Sequence, residues 1–245
     1  MSSSILSISQ GDIAVVTDPG TVWRVGYRPD PWTWTPWQYA ENGRFNGRWD
    51  DPDGNYRTLY TGTTLLGCLL EVLARFRPDL ALVNELDGII EDPDDHVVYP
   101  TSAPGIVPRS WLLPRTATTG TLIGTFCAVT NSTTLSTLRP LFLGQALRYG
   151  LPDFDAAALR LAKPRALTQT VSSFLYATTI HGEAAFDGVH FQSRYGDELT
   201  LIAIFERGTD HNHPTGILTT RHAELKPDHP NLTKAMALHH LQWDR

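Results

Sequence analysis

A carboxylate stands inside an apolar run: Glu71 in TTLLGCLLEVLARF, residues 63–76. Advancing about 100° per residue along a helix, Leu65, Leu66, Leu69, Leu70, Val72, Leu73 and Phe76 form a broad apolar arc. Gly67, Cys68, Glu71, Ala74 and Arg75 fill the narrow sector opposite. Glu71 therefore does not break the core face. Arg75, one turn later, could pair with it for about 0.2–0.5 kcal/mol on a solvated surface. Gly67, one turn earlier on the same sector, costs about 1 kcal/mol relative to alanine. A bare backbone beside a carboxylate suits the close approach of a ligand or of another chain segment. The stretch alone leaves both readings open: a surface ion pair, or a carboxylate held for chemistry.

Other reactive groups are less pointed. His211-x-His213 and His239-His240 have metal-ligand side chains but no neighbouring Cys or third positioned ligand, so a solvated tail is expected and no metal. EDPDD (91–95) lacks the central Gly and terminal Glu of a calcium loop and reads as a solvated turn. Cys68 and Cys127, both in apolar runs, read as buried thiols rather than a disulfide. No phosphate-binding loop, dinucleotide fingerprint, G-x-S-x-G or H-E-x-x-H motif occurs.

The elements that must position Glu71 follow from local pattern. TVWRVGYR (21–28) and RTLYTG (57–62) read as strands, with Thr63 or Thr64 capping the helix that follows. Between the strands, PDPWTWTPWQYAENGRFNG (29–47) is an irregular loop. It is either pinned by aromatic burial or offers rings to a pocket. HVVY (96–99) and GTLIGTFCAV (120–129) are β-prone. TLSTLRPLFLGQALRYG (134–150) reads as a helix broken near Pro140, and DAAALRLA (155–162) as a short one. LTQTVSSFLYATTIHG (167–182) reads as a helix ending at Gly182. DGVHFQSRYGDELTLIAIFERG (187–208) reads as two strands turning at Tyr195-Gly196-Asp197. Strands and helices without regular alternation predict an α+β fold, and 245 residues suffice for one core. The His-containing tail from 211 is expected to be mobile or to pack at an edge.

A formal charge of −6 argues against nonspecific binding to nucleic acid or anionic membranes, while leaving room for a local basic pocket. The N-terminus has no basic and apolar signal pattern, and no apolar run reaches the roughly 18–20 residues that span a bilayer. The expectation is a soluble cytoplasmic protein.

In order along the chain stand WRV with Arg24, GRWD with Arg48, LYTGTTLLGCLLEVL with Tyr60 and Glu71, LTQTVSSFL, and FDGVHFQSRYGDELTLIAIFE with Ser193. This series resembles the RES-domain proteins, named for an arginine, a glutamate and a serine, many of which are toxins of bacterial toxin–antitoxin pairs. The resemblance spans residues 21–207, leaving 1–20 as an N-terminal segment and 208–245 as a C-terminal extension. The family commonly carries Asn where this chain has Asp50, and residues 78–165 hold nothing that matches.

The resemblance implies an ADP-ribosyltransferase-like, single-domain fold of mixed sheets with packed helices. It implies NAD as substrate and cleavage of the nicotinamide–ribose bond by hydrolysis or phosphorolysis. Carried over position by position, the site is Arg24, Arg48, Tyr60, Glu71 and Ser193. These residue types suit that chemistry. A carboxylate beside the ribose stabilises an oxocarbenium-like charge, which is the role for Glu71. Arginine forks match a diphosphate, the role for Arg24 and Arg48. Tyr60 is expected to stack on nicotinamide or orient a ribose, and Ser193 to bind ribose or the nicotinamide amide. Two alternatives remain: transfer of ADP-ribose to a protein acceptor, and a non-catalytic nucleotide-binding module. Leu69 stands where such transferases often place a second acidic residue, which favours NAD breakdown. A toxin would have an antitoxin on a separate chain, and the aromatic-rich loop could supply apolar area for a homodimer.

Overall fold

The computed structural model describes residues 12–78 and 104–245. HVVY, EDPDD and most of the N-terminal segment lie outside the described residues. In chain order the elements are β1 (Val15–Thr17), β2 (Gly20–Tyr27), β3 (Thr58–Gly62), α1 (Leu65–Leu73), β4 (Ile106–Val107), β5 (Arg115–Leu122) and β6 (Thr125–Ala128). There follow α2 (Ser132–Arg148), α3 (Ala156–Arg160), α4 (Arg165–Ala177), β7 (Thr179–Ile180), β8 (Glu183–Ala184), β9 (Gly188–Ser193) and β10 (Gly196–Phe205). β11 (Ile217–Ala223), α5 (Pro230–Leu238) and β12 (Gln242–Trp243) complete the chain. The fold is α+β in a single domain.

Its frame is one eight-stranded sheet in the order β1-β6-β9-β10-β3-β2-β5-β11. All neighbours are antiparallel except β6 and β9, so the sheet is mixed. Alternation along the strands sends side chains to two faces. On β10, Leu201, Ala203 and Phe205 join the core formed with α2, α3 and α4. Ile202 and Ile204 point the other way, into a cluster closed by Trp32 and Trp34. Trp32 and Trp34 thus pin the start of the 29–47 loop by aromatic burial, while Trp37 and Tyr39 further along it are exposed.

α1 lies in a third cluster with β2, β5 and α5. Its N-cap is Thr64, whose hydroxyl accepts the Gly67 N–H at 3.1 Å. The sector opposite the apolar arc is buried at its start, at Gly67 and Cys68, and opens through half-buried Glu71 and Ala74 to exposed Arg75. A Cβ on Gly67 would come within 3.2 Å of the Thr64 hydroxyl and 3.8 Å of Leu199. The close approach that the glycine permits is thus by its own cap and β10. Both cysteines are free and buried.

Three local expectations are corrected. α2 runs unbroken through Pro140; Pro140 and Ser136, whose carbonyl loses its partner, are both exposed, so water can replace that bond. α4 stops at Ala177 instead of Gly182, because the β-branched Thr178, Thr179 and Ile180 extend into the β7–β8 hairpin. The β9–β10 turn is Arg194-Tyr195, since Gly196 already pairs with Ser193. The tail packs at an edge: β11 closes the sheet beside β5, and α5 covers α1. His239 is buried there rather than solvated, bonding the Leu70 carbonyl through Nε2 at 2.8 Å. Burial lowers its pKa and keeps it neutral. Among the described residues no helix is long and apolar enough to cross a membrane.

Candidate active site

β2, β3, α1, the Gly47–Asp50 turn, the start of α4 and the β9–β10 turn converge on a cavity of about 550 Å³. Arg24, Arg48, Tyr60 and Glu71 all line it. Ser193 does not; it sits behind Glu71, 1% exposed. Its hydroxyl accepts the Tyr195 N–H at 3.0 Å and is thereby oriented to donate to Glu71 Oε1 at 2.6 Å. Ser193 thus holds the carboxylate from outside the cavity lining. Among the described residues, no ion pair joins Glu71 to Arg75. Arg75 lies past the end of α1 and stacks on Phe76.

Arg24 projects from β2 and is fastened by two carbonyls: Nε donates to Pro31 at 2.6 Å and Nη1 to Tyr60 at 2.8 Å. Burial lowers its pKa to about 10, with Cys68 opposing weakly. It remains cationic at neutral pH. Burial also lowers Arg48, and the charge of Glu71 works against that shift. Burial pushes the Cys68 thiol up to about 12, so it is not a nucleophile at neutral pH; its Sγ instead donates to the Trp23 carbonyl.

The Arg48 turn has no regular secondary structure and is secured on both sides of that residue. Gly47 donates its N–H to Asp50 Oδ2, and its carbonyl accepts from Gln169 Nε2 at 3.0 Å. Trp49 donates its N–H to the Tyr60 hydroxyl at 2.8 Å, and its carbonyl accepts from Thr58 and Ser172. The Tyr60 hydroxyl in turn donates to Asp50 Oδ1 at 3.0 Å. Burial, and then the Asp50 charge, hold the Tyr60 phenol well above its usual range. Its ring is on the cavity wall, so stacking remains available, but the hydroxyl is committed to the turn.

Sequence reasoning missed much of the cationic lining. Arg165 and Arg194 line the cavity together with Arg24, Arg48 and Arg75. Arg165, Arg194 and Arg75 are exposed at its rim, whereas Arg24 and Arg48 are half-buried within. Two local signals were present: Arg194 follows Ser193 at a hairpin turn, and Arg165 opens a helix after Pro164. Five guanidiniums around one carboxylate make a site for a polyanion with a place beside Glu71 for developing positive charge. Among the described residues no group of three or more His, Cys, Asp or Glu side chains converges to hold a metal.

The fold and site define an α+β protein with an arginine-lined cleft around a buttressed glutamate. A family model for the RES domain matches residues 21–225. The chain belongs to the RES domain family. Among solved structures, it is similar to a chain of the M. tuberculosis MbcT–MbcA toxin–antitoxin complex. That likeness has a TM-score of 0.40 and 14% identity, over 91% of each chain. No curated protein matches the sequence.

Proposed function

We propose that this protein is an NAD-consuming enzyme that cleaves the nicotinamide–ribose bond, by hydrolysis or phosphorolysis, and acts as an intracellular toxin. A separate antitoxin chain would restrain it. The observation that carries the catalytic reading is Glu71, held by Ser193 at the wall of an arginine-lined cavity. RES-family membership supports the same assignment.

In this reading Arg24 and Arg48 take the diphosphate and the Tyr60 ring packs against nicotinamide or ribose. Nicotinamide leaves with the electrons of the glycosidic bond, and the ribose C1 becomes cationic. The Glu71 carboxylate stabilises that charge until an oxygen of water or phosphate bonds to C1 and its proton is lost. Transfer to a protein acceptor is less favoured. Leu69, two residues before Glu71, is fully buried in the core and cannot activate an acceptor.

The test is incubation of pure protein with NAD, with and without phosphate, followed by mass-spectrometric identification of products. Free nicotinamide with ADP-ribose, or with its phosphorylated form, is the expected outcome. NAD left intact refutes cleavage, and ADP-ribose found on added protein would favour transfer.

A further inference from the structure

Asp50 is 6% exposed and carries no ion pair among the described residues. A buried carboxylate is costly to keep unless its lone pairs are used. Here both oxygens are used, one on each of two groups that flank the candidate site. Oδ2 takes the N–H of Gly47, the residue before Arg48, and Oδ1 takes the Tyr60 hydroxyl. Gly47 is shaped to this contact: a Cβ there would lie 2.6 Å from both Asp50 Oδ2 and the Tyr60 oxygen.

We infer that Asp50 is a positioning residue: its carboxylate locks the Gly47–Asp50 turn onto Tyr60 and so aims the Arg48 guanidinium into the cavity. The Tyr60 hydroxyl already accepts from Trp49, so its proton goes to an acceptor, and Asp50 supplies it. A carboxylate receives both donors at once. An amide can receive one, because its NH2 end cannot accept the other. Burial pushes the Asp50 pKa up, and hydrogen bonds from Gly47, Tyr60 and Thr58, with the charge of Arg165, work against that shift.

The inference extends the reading of Arg48 as a diphosphate ligand. It is tested by a double-mutant cycle read in the affinity for inorganic diphosphate, measured by calorimetry on the full chain. Asp50→Asn should weaken binding about 10-fold and Asp50→Leu about 10²-fold, the scale of a misplaced binding group. In an Arg48→Ala background neither change should weaken binding further, since the residue through which Asp50 acts is gone. Losses that multiply in the double mutants would make Asp50 a general structural residue and overturn the inference. So would unaltered affinity in Asp50→Asn, which keeps the side-chain volume and serves if the leucine variant does not fold. A wild-type protein that does not bind diphosphate would overturn it as well. Nicotinamide release from NAD is followed in parallel. If wild type binds diphosphate but leaves NAD intact, the cleavage reading fails while the cycle still judges Asp50.

Discussion

On one side of the cavity Glu71 projects from α1, a capped helix buried between the sheet and α5. On the other, Arg48 projects from a turn with no regular secondary structure. A helix satisfies its own backbone, so the Glu71 wall needs only one further bond, from Ser193, to orient its charge. The turn makes one backbone bond of its own, Asp50 N–H to the Gly47 carbonyl at 3.4 Å, and leaves the rest to other elements. It borrows partners from β3 and α4: Tyr60, Thr58, Gln169 and Ser172, with Asp50 as the link. On the proposed function, chemistry and fold are separable on the Glu71 side and entangled on the Arg48 side. Substitutions on the helix should change rate with little change in melting. Those at the groups that fasten the turn, Asp50 and Tyr60, should change both.

The strongest way to break this contrast is Glu71→Gln. The amide keeps an acceptor for the Ser193 hydroxyl but loses the charge. Nicotinamide release should fall on the order of 10²–10³-fold in kcat, with NAD affinity and melting temperature nearly unchanged. A mutant that melts normally and turns over at the wild-type rate would return Glu71 to the status of an ordinary helix residue.

On the turn side, Tyr60→Phe should be costly although it keeps the ring. Read from sequence as a stacking residue, Tyr60 would tolerate phenylalanine. The hydroxyl's place between Trp49 and Asp50 leads to a different expectation, a loss of about 1–3 kcal/mol of stability together with weaker NAD binding. Thermal or urea unfolding alongside calorimetry distinguishes the two, and wild-type behaviour of the phenylalanine variant would mean that the turn does not depend on that bond.

Ser193→Ala sharpens the helix side. Glu71 loses its donor while α1 keeps its cap, so kcat should drop about 10-fold, equivalent to about 1.4 kcal/mol. The Tyr195 N–H also loses its acceptor, which should appear as a small fall in melting temperature. A change confined to KM would instead point to direct contact between Ser193 and the substrate.

The smallest expected effect is that of Arg48→Lys, which retains charge but not the fork. NAD affinity should fall several-fold, roughly 1 kcal/mol, with melting unchanged because the turn's bonds run through its neighbours. Unaltered affinity would remove Arg48 from the diphosphate site.

Much of the helix side was legible from the sequence. The Thr64 cap, the apolar arc and the β2 and β3 strands each depend on residues within a turn or two of one another, and local chemistry decides them. Arg24, Arg48, Tyr60 and Glu71 were implied by the resemblance to RES-domain proteins that their order along the chain carries, and the fold brings these four to one cavity.

Tertiary structure alone decided the rest. Ser193 and Glu71 are 122 residues apart, and only the packing of α1 against β10, which pairs with β9, joins them. Gly67 and Cys68, on the sector of α1 opposite its apolar arc, are buried because α1 packs between the sheet and α5, and that covering helix comes from the far end of the chain. Pro140 leaves α2 intact because it and Ser136, whose carbonyl loses its partner, are both exposed, which no local pattern announces. The rim arginines and the fastening of Asp50 are likewise products of assembly. A side chain's type sets what it can bond, but its partners are set by packing between distant elements, and a single sequence carries no local record of that.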